Sequence, residues 1–145
     1  MNFLDITSTN STVILTVESL YPQGVTLEGF SVDTIISSDE VTLAETRMGV
    51  DGKMATGYIP TPKSVTISLE ANSPSQEVFN TIYGATEATK KIFKCNLSVS
   101  VPSLNREYNW IDGCVVSGKP TSDVKKTLDP TSWKLTFSAL EISRI

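Results

Sequence analysis

"VTISLEANSPSQEVFNTIY", residues 65–83, changes its period part-way along. Val65, Ile67 and Leu69 alternate with Thr66, Ser68 and Glu70, which is the pattern of a strand with one buried and one wet face. Ser73-Pro74-Ser75-Gln76 then reads as a helix start. Ser73 is the expected N-cap, Pro74 takes the first helical position, and Gln76 completes a capping box three residues after the cap. Val78, Phe79, Ile82 and Tyr83 follow at helical spacing on one face. Gly84 interrupts this helix at a cost of about 1 kcal/mol against alanine. The element is expected around residues 74–90, with 86–91 continuing it weakly or forming a polar loop. A helix with one apolar stripe needs a sheet face or a barrel opening to cover.

Period-two alternation recurs on both sides of this junction. Val13, Leu15 and Val17 share a face, as do Phe93, Cys95, Leu97, Val99 and Val101. Trp133, Leu135 and Phe137 repeat the pattern, which resumes at Leu140 and Ile142, so a bulge near Ser138-Ala139 is expected to keep these residues inward. The predicted fold is mainly β: two packed antiparallel sheets forming a β-sandwich or barrel with one flanking α-helix. No repeat or linker divides the 145 residues, and one domain over 1–145 is the expectation.

Composition narrows the function classes. Apolar residues make up 39% and charged residues 19%, which suits a globular chain better than a disordered one. The net charge is −4 and the twelve lysines and arginines are scattered, so no basic stripe is available to grip nucleic-acid phosphates. The first residues lack a basic and apolar leader, and no run approaches a membrane span, so synthesis in the cytosol is expected. The sequons at Asn10 and Asn96 carry no weight in that compartment. Cys95 and Cys114 lack CxxC spacing and are read as buried free thiols.

The chain contains no histidine. That removes the commonest general base and metal ligand, together with every Ser-His or Cys-His pair. Asp39-Glu40, or Glu45 with Asp51, are conceivable acid and base partners, but Asp39-Glu40 lies in a polar turn where carboxylates stay solvated. No enzyme, cofactor or metal is expected. Gly49-Val50-Asp51-Gly52 lacks the residues that complete a phosphate loop or a calcium loop. Tyr108, Trp110 and Trp133 suggest a stacking platform, although packing on a sheet face explains them better.

"ETRMGVDGKMATGYIPTP", residues 45–62, reads as a hairpin with Asp51-Gly52 as a type I′ pair. A two-residue loop places Val50 opposite Lys53, Gly49 opposite Met54, Met48 opposite Ala55 and Arg47 opposite Thr56. Neither face is then continuously apolar, and the glycines at 49, 52 and 57 weaken it further. It is either a mobile surface hairpin or an arm that orders on a partner.

The segments "AETRMGVDGKMATGYIP" and "VTISLEANSPSQEVFNTIY", with a final Trp-led strand, resemble the tail tube proteins of tailed bacteriophages, particularly those with contractile tails. The likeness runs from about residue 25 to the end and is most specific from Arg47 to Phe79. It implies a fold like that of type VI secretion tube proteins. It also implies a structural virion protein whose hexameric rings stack into a tube around a tape-measure protein, inside a sheath and between baseplate and terminator proteins. DNA transits such a lumen without specific binding. On this reading Arg47, Met48, Gly49, Val50, Asp51, Gly52, Lys53 and Met54 form the ring-stacking hairpin, around residues 43–60. Glu18, Glu28 and Glu70, read as lying on polar strand faces, are the candidates to line the bore, where the acidic excess has the sign of DNA. Assembly in the bacterial host cytoplasm and residence in the virion tail follow. The alternatives are a tube initiator or terminator, and a β-sandwich module of a tail fibre or surface protein that binds carbohydrate or a receptor through Trp110 or Tyr108.

Overall fold

A computed structural model describes residues 11–30 and 36–144. Its strands are β1 (Thr12–Val17), β2 (Tyr21–Thr26), β3 (Ile36–Ser38), β4 (Ala44–Met48), β5 (Met54–Tyr58), β6 (Lys63–Leu69), β7 (Cys95–Val101), β8 (Arg106–Gly118) and β9 (Thr131–Arg144). The helix α1 spans Gln76–Thr89, and a 3-10 turn at Pro102–Leu104 joins β7 to β8. The fold is mainly β with one helix, as the alternation predicts. Seven strands form one antiparallel sheet in the order β2-β1-β7-β8-β9-β6-β3, and β4-β5 form a second, two-stranded sheet. The barrel form is not adopted: among the described residues the large sheet ends on β2 and β3, which do not pair with each other. β2 carries Pro22 and β3 has only three residues, both features of strands that stand at an edge.

The long β8-β9 ladder is the spine. β7 pairs with β8 from Arg106 to Gly113, whereas β6 pairs with β9 from Thr131 to Phe137. The two wings are therefore offset along the spine. They meet in a row that runs from Val17 through Cys95, Gly113 and Phe137 to Lys63. At this row both spine strands change their inward parity: Trp110 is buried on one side, Phe137 and Leu135 on the other. The ladder passes from Ile111↔Ala139 to Gly113↔Phe137 without a change of mutual register. We read this as one extra residue in each strand, Asp112 (φ +53°) and Ser138, so the bulge expected in β9 has a counterpart in β8. Leu140 still packs on the core, but Ile142, expected inward, is 62% exposed because the ladder extends past the core.

Val13, Leu15 and Val17 of β1, Val65, Ile67 and Leu69 of β6, and Trp133, Leu135 and Phe137 of β9 are all buried. Helix α1 closes this core with Val78, Phe79 and Ile82, and the Phe79 ring stacks on Trp133 at 5.2 Å between centroids. Gly84 does not end the helix, which runs on to Thr89 and stops where Lys90 takes a left-handed conformation (φ +56°). Nothing lies within 4 Å of a methyl group placed on Gly84. Gly84→Ala is therefore expected to raise the unfolding free energy by about 0.5–1 kcal/mol in a denaturant titration, through lower backbone entropy of the unfolded chain.

The helix start differs from the expected capping box: the helix begins at Gln76, so the cap position falls on Ser75, which makes no side-chain cap hydrogen bond, and Ser73 and Pro74 precede it. Ser73 Oγ does accept the Ser75 N–H, at 3.2 Å, but it also donates to the Glu28 carbonyl. Gln76 does not fold back onto Ser73. Its amide reaches the Glu70 carbonyl and Thr131 Oγ1, the latter at 2.6 Å, and its carbonyl accepts from the Trp133 indole at 3.3 Å. Two polar groups on β9, the Thr131 hydroxyl as acceptor and the Trp133 indole N–H as donor, compete for the glutamine and win, because leaving such groups unpaired costs about 1–3 kcal/mol each. Ser75 Oγ in turn accepts the Glu28 N–H at 2.7 Å, clasping the segment after β2 to the helix.

Candidate functional site

The β4-β5 hairpin is an arm that continues the β3-β6 ladder away from the core. Asp39 N–H bonds Ser64 O at 3.0 Å, Thr61 Oγ1 bonds Thr42 O at 3.1 Å, and Ile59 N–H bonds Leu43 O at 3.2 Å. Every residue of β4 and β5 is exposed.

The register of the arm corrects the two-residue loop. Met48 lies opposite Met54 and Arg47 opposite Ala55, one position from the sequence-based pairing. Gly52 N–H bonds Gly49 O at 3.0 Å, Gly52 sits at φ +83°, and Gly49 N–H bonds Lys53 O at 2.8 Å. These are the marks of a type I turn over Val50-Asp51 followed by a left-handed glycine, the three-residue loop. Asp51 favours it, since its carboxylate accepts the Lys53 N–H at 3.1 Å.

A one-position shift regroups the faces. Ala44, Thr46 and Met48 now share a side with Met54, Thr56 and Tyr58, whose large members are 66% (Met48), 59% (Met54) and 75% (Tyr58) exposed. Contrary to the sequence expectation, the arm has one face dominated by apolar side chains, and nothing covers it among the described residues. The opposite side carries Glu45, Arg47, Ala55 and Gly57 around a shallow groove of about 190 Å³, with Glu45 and Arg47 3.7 Å apart. That pair is so exposed that it adds little stability. Val50 stands fully exposed at the tip.

Glu18, Glu28 and Glu70 are not on strand faces. Each stands just past the end of a strand: Glu18 after β1, Glu28 beyond β2 and Glu70 after β6. Glu28 and Glu70 come together at the helix start, where Glu70 N–H bonds Gly29 O. Glu18 is elsewhere, with its N–H on Lys94 O. Trp110 and Trp133 are core residues at 5% and 3% exposure, which removes Trp110 as a stacking surface, and Tyr108 is half-buried.

Cys95 is buried and Cys114, expected buried, is half-buried; both are free. Burial, with a smaller contribution from Cys114, pushes the Cys95 thiol up to about 11, so it stays protonated and a poor nucleophile at neutral pH. Among the described residues no group of three or more acidic or cysteine side chains is placed to hold a metal ion, and no helix is long and apolar enough to cross a membrane.

The family model described as "Tail fiber protein gp32" matches residues 4–141. The chain belongs to this family. No curated protein sequence matches it. In fold, this gp32-family chain is similar to a chain of the anti-feeding prophage baseplate, with a TM-score of 0.64 at 11% identity, covering 99% of this chain and 98% of that one. It is likewise similar to a chain in the tube-terminating cap of the same particle (TM-score 0.58, 10% identity, covering 100% and 96%). A third similar chain comes from the PVC sheath-tube complex of an extracellular contractile injection system (TM-score 0.55, 10% identity, covering 92% and 88%). The gp32-family fold is thus one that occurs in contractile tail assemblies.

Proposed function

We propose that this gp32-family protein is a non-enzymatic, tube-type building block of a bacteriophage tail, a single domain whose copies close into hexameric rings that stack through the 44–58 arm. One observation carries the reading: an ordered arm, exposed along its whole length, presents Ala44, Met48, Met54 and Tyr58 on one side with nothing in the described chain to cover them. Such a surface is unfavourable in a free monomer and becomes favourable on a second subunit. Met48 and Met54 suit that contact, since thioether side chains adapt to irregular surfaces.

Ring closure is supported by the unfinished sheet. Among the described residues, β9 has no neighbour on its β6 side beyond Phe137, and β8 has none on its β7 side beyond Gly113. Pairing such edges between copies removes them, and cyclic symmetry halts growth in the plane. The related baseplate structure was determined with six-fold symmetry, which agrees with this arrangement. In the tube, DNA passes through the bore without specific binding. Sheath, tape-measure, baseplate and terminator proteins are the partners, in a virion tail assembled in the host cytoplasm.

A tail-fibre module is the second reading, favoured by the family's description. Size-exclusion chromatography and negative-stain imaging of the purified protein separate the two. Rings or tubes support the building block; a monomer or trimer at all concentrations supports the module.

A further inference from the structure

The inward column of the β8-β9 spine outlasts the core it covers. Trp110 lies opposite Leu140, Tyr108 opposite Ile142, and Arg106 opposite Arg144. Alternate residues of a strand share a face, so the three pairs stand on one side of the ladder. The Tyr108 and Trp110 rings, 5.9 Å apart, agree with that. Exposure rises along the column from 5% at Trp110 to 62% at Ile142, and both arginines are exposed. Directly opposed residues have Cβ atoms about 4.5–5.5 Å apart, a separation at which like charges destabilise the pairing. Neither guanidinium has an ion-pair or side-chain hydrogen-bond partner among the described residues. The nearest acidic positions on these strands, Glu107 and Glu141, belong to the other face by alternation, and Glu107 accepts from Ser98 Oγ at 3.3 Å.

We propose that Arg106 and Arg144, with Tyr108 and Ile142, form a docking surface for an acidic segment of a partner protein. A carboxylate held between two guanidinium forks removes their repulsion and takes charge-assisted, bidentate hydrogen bonds from them. An aliphatic neighbour on the same segment covers Ile142 and Tyr108. The apolar half decides the class of anion. A nucleic-acid backbone would satisfy the arginines, yet it gains nothing from Ile142 and approaches a chain of net charge −4.

The test titrates the full chain with a fluorescein-labelled peptide of alternating glutamate and leucine, and separately with a labelled DNA duplex, at one salt concentration. Saturable peptide binding is expected, weaker by about tenfold or more in R106Q/R144Q. R106K/R144K, which keeps the charge and loses the fork, should regain part of that loss, and I142S should weaken binding by a smaller factor. The melting temperature of R106Q/R144Q should be no lower than that of the parent, since a repulsion is relieved, so lost binding reports the site rather than unfolding. Peptide binding unaffected by R106Q/R144Q, or DNA binding tighter than peptide binding, overturns the proposal.

Discussion

Gly113→Ala is expected to lower the unfolding free energy by about 2–3 kcal/mol, read as an earlier denaturation midpoint at unchanged m-value. Gly113 sits in the row where the two wings of the sheet meet, with Cys95 on one side and Phe137 on the other. A Cβ there would fall 2.3 Å from Phe137 Cδ1 and 2.4 Å from the Thr136 carbonyl oxygen. The first atom belongs to a ring that is 1% exposed, and the second is backbone held in the β8-β9 ladder, so neither yields cheaply. Close packing transmits the displacement to neighbours instead of absorbing it. Gly84→Ala is the matched control, because the same added methyl group meets open space there and the sign reverses. A Gly113→Ala chain as stable as the parent would show that Phe137 does not rest on the glycine.

What the sequence discloses depends on the range of the interaction. Alternation is local, and the positions it marks in β1, β6 and the first half of β9 are the buried ones. The helix was legible for the same reason, from the stripe of Val78, Phe79 and Ile82, although its start lies two residues later than Ser73-Pro74 suggested. Gln76 was not, because its partners Thr131 and Trp133 lie 55 and 57 residues away and outcompete the local cap. The close approach at Gly113 was not read from the sequence, because the ring that makes it, Phe137, belongs to another strand. The arm was legible as a hairpin from Asp51-Gly52, but its register hung on one extra loop residue, which Asp51 stabilises through the Lys53 N–H. That single position decides whether Met48 and Met54 share a face. Glu18, Glu28 and Glu70 were read onto strand faces because alternation runs smoothly through strand ends, whereas the strands end at Val17, Thr26 and Leu69. The Arg106-Arg144 opposition exists only in the register of strands that are distant in sequence.

Met48→Asp combined with Met54→Asp is expected to give a soluble, folded protein that no longer stacks. In the free subunit both side chains are mostly in water, at 66% and 59% exposure, so the change should move monomer stability by no more than about 0.5 kcal/mol. In a stacked assembly each methionine would be covered, and full burial of such a side chain is worth about 1.5–3 kcal/mol. Losing both, and having to bury two unpaired carboxylates at the contact, raises the concentration needed for stacking by about a hundredfold or more. Glu45→Gln with Arg47→Gln alters the opposite face and removes only an exposed ion pair, so it should leave assembly nearly unchanged. Sedimentation velocity and negative-stain imaging of the three proteins at matched concentrations read the result. Tubes from the methionine variant at the parent's threshold would refute the apolar face as the contact. Equal sensitivity of both variants would mean that the arm docks through both sides. A parent that stays monomeric throughout removes the stacked ring itself and leaves the tail-fibre module.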